Sequence, residues 1–220
     1  MAPFRILLAD DHEVVRAGLR AMLEDQSGWE VVAEAVDGRD AVEKVSKLKP
    51  DAVVIDIAMP SLNGLEAVRQ IVKAVPKTKV LVLTMYDSDP LIQQMLQAGA
   101  RGYLLKSDAG RDLVSAIDAL RRNKTFFTPK VSRMVLERYL DQSPREKEVE
   151  EEPESLRLTS RQREIVQLLA EGKSSKEVAA VLGLSVKTAE THRANIMRKL
   201  DCHSVTELVR YAIRNHIIAA

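Results

Sequence analysis

Asp10, Asp11, Asp56, Thr84 and Lys106 are the residues whose types could do chemistry together, and each stands at the end of a short apolar run. Phe4 to Ala9 leads into Asp10-Asp11, Ala52 to Ile55 into Asp56 and Arg101 to Leu105 into Lys106, and Thr84 stands at the end of the run Lys79 to Met85. Apolar runs of this length, bounded by punctuating residues such as Pro60 and Gly64, read as strands buried on both faces. In an open α/β sheet the carboxyl ends of the strands form the ligand crevice. Three carboxylates, a hydroxyl and an ammonium would then share one rim. Carboxylates held so close repel one another, so a divalent cation is implied, and an oxygen-only donor set suits Mg2+. Asp56 in that place can ligate a metal or act as a nucleophile toward phosphorus. Taken singly, these residues have plainer readings: Asp10 or Asp11 as a helix cap before Glu13, Asp56 as an acid opening a loop, Thr84 as a strand end, Lys106 as a surface base. Their joint placement at the ends of four predicted strands is what favours a site.

The residues between them supply the elements that must position them. Glu13 to Asp25 places Val14, Val15, Leu19, Met22 and Leu23 near one helical face. Trp29 to Ala35 reads as a strand, Asp37-Gly38 as a turn and Ala41 to Leu48 as a helix. Further helices are predicted from Gly64 to Val75, from Pro90 to Ala98 (stopped by Gly99) and from Asp112 to Arg122. Five strand–helix repeats predict an α/β domain with a five-stranded, parallel, doubly wound sheet. Right-handed crossovers bring every strand's C-terminal end to one edge.

Composition bounds the rest. The chain has 220 residues, 45% of them hydrophobic, which allows a packed core and argues against wholesale disorder. No apolar run approaches the length of a membrane span, and the N-terminus Met1-Ala2-Pro3-Phe4-Arg5 lacks a signal-peptide pattern. A single cysteine, Cys202, excludes an internal disulfide and fits a reducing cytoplasm. The net charge of +1 conceals a segregation: residues 1–130 carry 18 basic and 18 acidic side chains, residues 131–154 carry 4 and 8, and residues 155–220 carry 11 and 6. A neutral front, an acidic joint and a basic tail predict two domains, with nucleic acid a candidate partner of the second. The joint contains an apolar-periodic stretch, Val131 to Leu140, that reads as a linker helix. Asp141 to Ser155 follows, polar, with Pro144, Pro153 and six glutamates, and reads as a solvated tether.

The tail from Leu156 is patterned as helix throughout. Thr159 with Gln162 three residues later is a capping-box signature, and Gly172 ends the helix it opens. Ser174 or Ser175 caps a short helix to Leu182, Gly183-Leu184 turns, Ser185 caps a helix from Val186 to Leu200, and Ser204 caps a last one from Val205 to His216. Helix, glycine turn, helix is the helix-turn-helix pattern. At about 100° per residue, Ala189, Ile196 and Leu200 share one side of the Val186–Leu200 helix, flanked by His192 and Met197. Lys187, Thr191, Ala194, Asn195 and Arg198 face the other side, with Glu190 at its border. That outward face suits base edges and phosphates; its plainer reading is a solvated helix face.

The acidic pair, Asp56 with Met59-Pro60 and Gly64, Thr84 and Lys106 resemble the receiver domain of bacterial response regulators over about residues 1–124. The resemblance implies that Asp56 accepts a phosphoryl group from a sensor histidine kinase. It implies that Asp11, Asp56 and the main-chain carbonyl of Ala58 hold Mg2+, with Asp10 acting mostly through water. Lys106 and Thr84 would bind phosphoryl oxygens, and Tyr103 matches the aromatic that changes rotamer as Thr84 moves. Residues 156–220 resemble the LuxR-type DNA-binding domain through Leu158-Thr159, Arg161, Arg163-Glu164, Gly172, Ser174, Lys176 to Ala179, Leu182, Ser185-Val186, Thr188-Ala189, His192, Asn195-Ile196 and Lys199-Leu200. A receiver, a joint over residues 125–155 and this small all-α, four-helix domain form the architecture of the FixJ/NarL family. By that resemblance Glu190, Thr191 and Ala194 read bases, while Lys187, Arg193, Asn195, Arg198 and Lys199 meet phosphate and Thr188 belongs to the same DNA-contacting helix. The last helix would dimerise the protein on inverted half-sites of double-stranded DNA through Val205, Leu208, Val209 and Ala212. RNA polymerase is a further partner open to such a regulator.

Two positions depart from common receiver patterns. Ala58 stands where many receivers carry a polar or larger side chain, so nothing there orients or blocks an attacking water. Ser107 replaces the proline that often follows the lysine; a cis peptide before it would cost roughly 3 kcal/mol. Ala58 also separates the chain from aspartyl-nucleophile phosphohydrolases, which carry a second acid at that place. A regulator that keeps the site but is controlled by a partner protein is the other alternative.

Overall fold

A computed structural model describes residues 2–86, 88–140 and 158–218. The chain divides into two compact units, Met1–Asp141 and Gln142–Ala220. The acidic stretch expected to be a tether, Asp141 to Ser155, lies outside the described residues.

In the first unit, strands β1 (Phe4–Ala9), β2 (Trp29–Ala35), β3 (Ala52–Ile55), β4 (Lys79–Thr84), β5 (Gly102–Leu105) and β6 (Phe126–Phe127) form one sheet in the order β2-β1-β3-β4-β5-β6. Every pairing is parallel. Helices α1 (Glu13–Glu24), α2 (Gly38–Leu48), α3 (Gly64–Ala74), α4 (Asp89–Gln97), α5 (Ala109–Arg121) and α6 (Pro129–Leu140) follow the strands. The central strand has no solvent face: Ala52, Val53, Val54 and Ile55 are all buried. Its odd and even residues feed opposite cores. Val53 and Ile55 pack in the layer that includes Val68, Ile71, Ile92 and Met95 of α3 and α4. Ala52 and Val54 pack with Leu19 and Leu23 of α1 and Leu113, Ile117 and Leu120 of α5. This is the period-two alternation of a strand covered on both sides.

The five-stranded expectation is corrected by one strand. Phe126 and Phe127 add a sixth, pairing with Gly102 and Tyr103 of β5. Two residues carry too little periodicity to announce a strand. What admits them is the missing side chain of Gly102, where a Cβ would stand 3.2 Å from the Phe126 carbonyl oxygen and 2.7 Å from Leu81 Cδ1.

The second unit is all helical: α7 (Ser160–Ala170), α8 (Ser175–Leu182), α9 (Val186–Lys199) and α10 (Val205–Arg214). Each begins at a hydroxyl cap. Thr159 and Ser174 form complete capping boxes with Gln162 and Glu177, and Ser185 and Ser204 accept from the backbone N–H groups of Thr188 and Glu207. Gly183 closes α8 in the left-handed conformation at φ 62°, which turns the chain into α9. Ile165, Val166, Leu168, Val178, Ala189, Ile196, Leu208 and Ala212 form its core.

Candidate functional site

The sheet order places β1, β3, β4 and β5 side by side, so their C-terminal ends adjoin. Asp10 follows β1, Asp56 follows β3, Thr84 ends β4 and Lys106 follows β5. The main chain locks this rim: Asp56 N–H donates to the Ala9 carbonyl (2.8 Å) and Asp10 N–H to the Ala35 carbonyl (3.1 Å).

Lys106 draws the acids together. Its Nζ lies 2.8 Å from Asp56 Oδ2 and 2.6 Å from Asp10 Oδ2. Asp10, Asp56 and Thr84 are buried, and Lys106 nearly so. The other Asp56 oxygen, Oδ1, accepts the backbone N–H of Ile57 at 2.7 Å. Burial pushes the Asp56 carboxyl above the ordinary carboxylate range, with Asp10's charge adding to it, while Lys106 and the Ile57 N–H oppose the rise. Burial also disfavours the Lys106 ammonium, but its hydrogen bonds to Asp10 and Asp56 outweigh that and hold its pKa above the usual lysine value.

The donor set fits a hard cation. One carboxylate oxygen each from Asp10, Asp11 and Asp56, with a ring nitrogen of His12, lie within 4.8 Å of one another. Three carboxylates against one buried ammonium leave excess negative charge that a divalent ion would neutralise. Asp11 is exposed at the mouth of the site, and Ala58 is half-buried in the loop after Asp56. Thr84 is on the adjoining strand end, with its hydroxyl accepting the Tyr86 N–H at 3.2 Å. Tyr103 is turned inward and buried, and its hydroxyl donates to the Tyr86 carbonyl. The peptide bonds of the described residues are all trans, so the Lys106–Ser107 bond is trans.

Two residues of the site, His12 and Arg16, and the close approach behind one expected residue, Gly64, are not visible in the motifs. His12 stands with Nδ1 2.8 Å from Asp11 Oδ1 and 3.3 Å from Asp10 Oδ1; its position directly after the acidic pair was the available signal. Arg16 fastens the same turn by donating to the Asp10 carbonyl at 2.7 Å. Gly64 lets α3 abut the backbone of Asp56, where a Cβ would fall 2.0 Å from the Asp56 carbonyl oxygen.

In the second unit, α9 buries Ala189 and Ile196 and exposes Lys187, Thr188, Glu190, Thr191, Ala194, Asn195 and Arg198; Arg193 and Lys199 are half-buried at the edges. The α10 residues divide differently from the expectation. Val205 is exposed and Val209 half-buried, but Leu208 and Ala212 are fully buried in the unit's own core. The correction has a simple cause: residues 208 and 212 are one turn apart on the face that packs against α7, while 205, 209 and 213 form the adjacent stripe.

Two family models match the chain: "Response regulator receiver domain" over residues 6–118 and "Bacterial regulatory proteins, luxR family" over residues 156–212. The chain belongs to the response regulators. Its receiver is joined to a LuxR-type DNA-binding domain, as in two-component transcriptional regulators. The oxygen regulatory protein NreC of Staphylococcus carnosus is 38% identical over 215 residues, spanning 97% of this chain and 99% of that one. The Staphylococcus aureus protein of the same name is 37% identical over the same shares. Among solved structures, the RcsB response regulator of Salmonella typhimurium matches with a TM-score of 0.62 at 28% identity, covering 98% of this response regulator and 99% of RcsB. The response regulator ChrA of a heme-sensing two-component system matches at 34% identity and a TM-score of 0.51, covering 99% and 100%. Among the described residues no helix is long and apolar enough to cross a membrane.

Proposed function

We propose that Asp56 is the phosphoryl acceptor through which a sensor histidine kinase controls sequence-specific DNA binding. The observation that carries this is the convergence of Asp56 and Asp10 on one buried ammonium, Lys106, at the C-terminal edge of a parallel sheet. An Asp56 oxygen attacks phosphorus, the bond from phosphorus to the donor's imidazole nitrogen breaks, and the phosphoryl group ends as an acyl phosphate on Asp56. Lys106 then pairs with phosphoryl oxygen, and Thr84 supplies a hydroxyl to another. Asp10, Asp11, Asp56 and the Ala58 carbonyl would hold Mg2+, which supplies neutralising charge at the transferring group. Position 58 carries alanine where aspartyl-nucleophile phosphohydrolases carry a second acid, which favours a regulator over a turnover enzyme.

On the DNA side, α9, Thr188 included, enters the major groove, with Glu190, Thr191 and Ala194 toward bases and Lys187, Arg193, Asn195, Arg198 and Lys199 along the backbone. A second copy binds across the α10 stripe of exposed Val205 and half-buried Val209, which matches an inverted-repeat operator; Leu208 and Ala212 support that helix from inside. A solved structure of two RcsB dimers bound to two parallel DNAs supports the reading. The test is a phosphate-affinity gel with Mg2+ and a small phosphodonor, followed by selection of bound DNA from a random pool. Wild type shifts and Asp56→Asn does not; an Asp56→Asn chain that still acquired phosphate would refute the assignment. Selected DNA without any shared sequence would refute sequence-specific binding.

A further inference from the structure

We infer that α6 is the reader of the receiver's state: its first turn is seated when Asp56 is free and is released when Asp56 carries a phosphoryl group. The inference rests on the phosphoryl-acceptor reading of Asp56. Its starting observation is that one residue, Tyr86, is held by both switch residues. Tyr86 N–H donates to Thr84 Oγ1 and the Tyr86 carbonyl accepts the Tyr103 hydroxyl. Tyr103 in turn is the register partner of Phe127 on β6, and both side chains belong to the same packed layer.

That layer also takes in α6. Val131, in the first turn of α6, is 1% exposed and lies in the core that contains Leu91, Ile92 and Met95 of α4, with Met134 packed against it one turn on. Lys130 Nζ lies 3.3 Å from Asp89 Oδ1, at the first residue of α4. Two sets of contacts adjoin along the chain: one from Thr84 through Tyr86 to Tyr103 and β6, the other from Asp89 at the start of α4 to Lys130, with Val131 in the same packed layer. Two discrete arrangements at one end, each biasing the other end, are the physical requirement for coupling.

The direction follows from what the hydroxyl of Thr84 can bond. A phosphoryl oxygen on Asp56 accepts the Thr84 O–H in a charge-assisted hydrogen bond, which is stronger than a neutral one. To make it the Thr84 hydroxyl moves toward Asp56, and this displacement, rather than competition for the oxygen, draws it away from the Tyr86 N–H that it accepts. The β4–α4 turn shifts, α4's first residue moves away from Lys130, and the seat of Val131 opens. Because coupling is reciprocal, weakening the seat must tighten binding at Asp56. In sequence, α6 is the last described element before the DNA-binding unit.

The experiment uses the full chain with Mg2+ and beryllofluoride, an aspartyl-phosphate mimic, and reads amide hydrogen exchange over residues 128–136 together with the 19F signal of the bound fluoride. In wild type, exchange over 128–136 accelerates roughly five-fold or more on binding. In Thr84→Ala, which loses a hydroxyl on the phosphoryl group and is therefore measured at beryllofluoride concentrations that saturate its weakened site, that acceleration is lost. Val131→Ala, which keeps a small apolar side chain, binds beryllofluoride roughly five-fold more tightly than wild type. Unchanged or slowed exchange over 128–136 in fluoride-loaded wild type overturns the proposal, as does an unchanged affinity in Val131→Ala. Exchange in loaded Thr84→Ala that still accelerates overturns the route through Thr84. If no bound fluoride signal appears in wild type at all, the acceptor reading of Asp56 fails and this inference with it.

Discussion

Gly64→Ala is the sharpest test of how the acceptor is positioned. Gly64 opens α3, and its N–H donates to the Ile57 carbonyl at 2.9 Å. A Cβ built there lies 2.0 Å from the Asp56 carbonyl oxygen, 2.8 Å from Ile57 Cα and 2.9 Å from the Asp56 carbonyl carbon. All three are backbone atoms and cannot rotate away. Ordinary contact begins at 3.4 Å, so helix and loop must separate by about 1.4 Å, which is the scale at which misplacement costs roughly 100-fold in rate. The peptide that moves is the one whose Ile57 N–H anchors Asp56 Oδ1. Overpacking of this kind costs about 1–3 kcal/mol of stability. The expected result is a fall of about 100-fold in Asp56 phosphorylation from a small phosphodonor, with a lowered melting temperature. Gly18→Ala is the control. It lies inside α1 with no atom within 4 Å of an added Cβ, so it should stabilise the fold by about 0.8–1 kcal/mol and leave the rate alone. A Gly64→Ala protein that accepts phosphate within two-fold of wild type would refute the claim that this close approach sets the nucleophile's geometry.

Burial raises the Asp56 pKa, so this group's contribution to stability is full below the ordinary carboxylate range and is lost as pH rises through the raised value. Asp56→Asn should therefore melt higher than wild type at pH 7 without metal, and thermal unfolding from pH 4 to 8 checks it; equal melting at both ends would contradict the sign. Mg2+ at ten times its dissociation constant should stabilise wild type by about 1.4 kcal/mol, and Asp11→Ala should lose most of that, measured calorimetrically. Leu208→Ala should cost the second unit about 2–5 kcal/mol, whereas Val205→Ser should leave its unfolding nearly unchanged but weaken binding to a two-site operator relative to a single half-site. Lys187→Ala should lower the slope of log affinity against log salt by about 1, read by fluorescence anisotropy; an unchanged slope would move Lys187 off the DNA backbone.

The local features of the chain are written in neighbouring residues, which is why they were legible. Thr159 with Gln162, Ser174 with Glu177, and Ser185 and Ser204 mark helix starts through hydrogen bonds that span only three residues. The apolar runs of β1, β3 and β4 are short enough that burial on both faces shows directly as composition. The convergence of Asp10, Asp11, Asp56, Thr84 and Lys106 was predictable because right-handed crossovers leave one edge for all strand ends. Distances across the sheet are another matter. That Lys106 bridges Asp10 and Asp56, that His12 turns onto Asp11, and that Tyr86 is shared by Thr84 and Tyr103 depend on rotamers chosen by neighbours far away in sequence. So do β6, which exists because Gly102 leaves room for it, and the inward turn of Leu208 and Ala212, where a few tens of degrees of helix rotation decide between core and surface. Periodicity along the chain gives a face its width; only packing against a partner element fixes which residues lie at its centre.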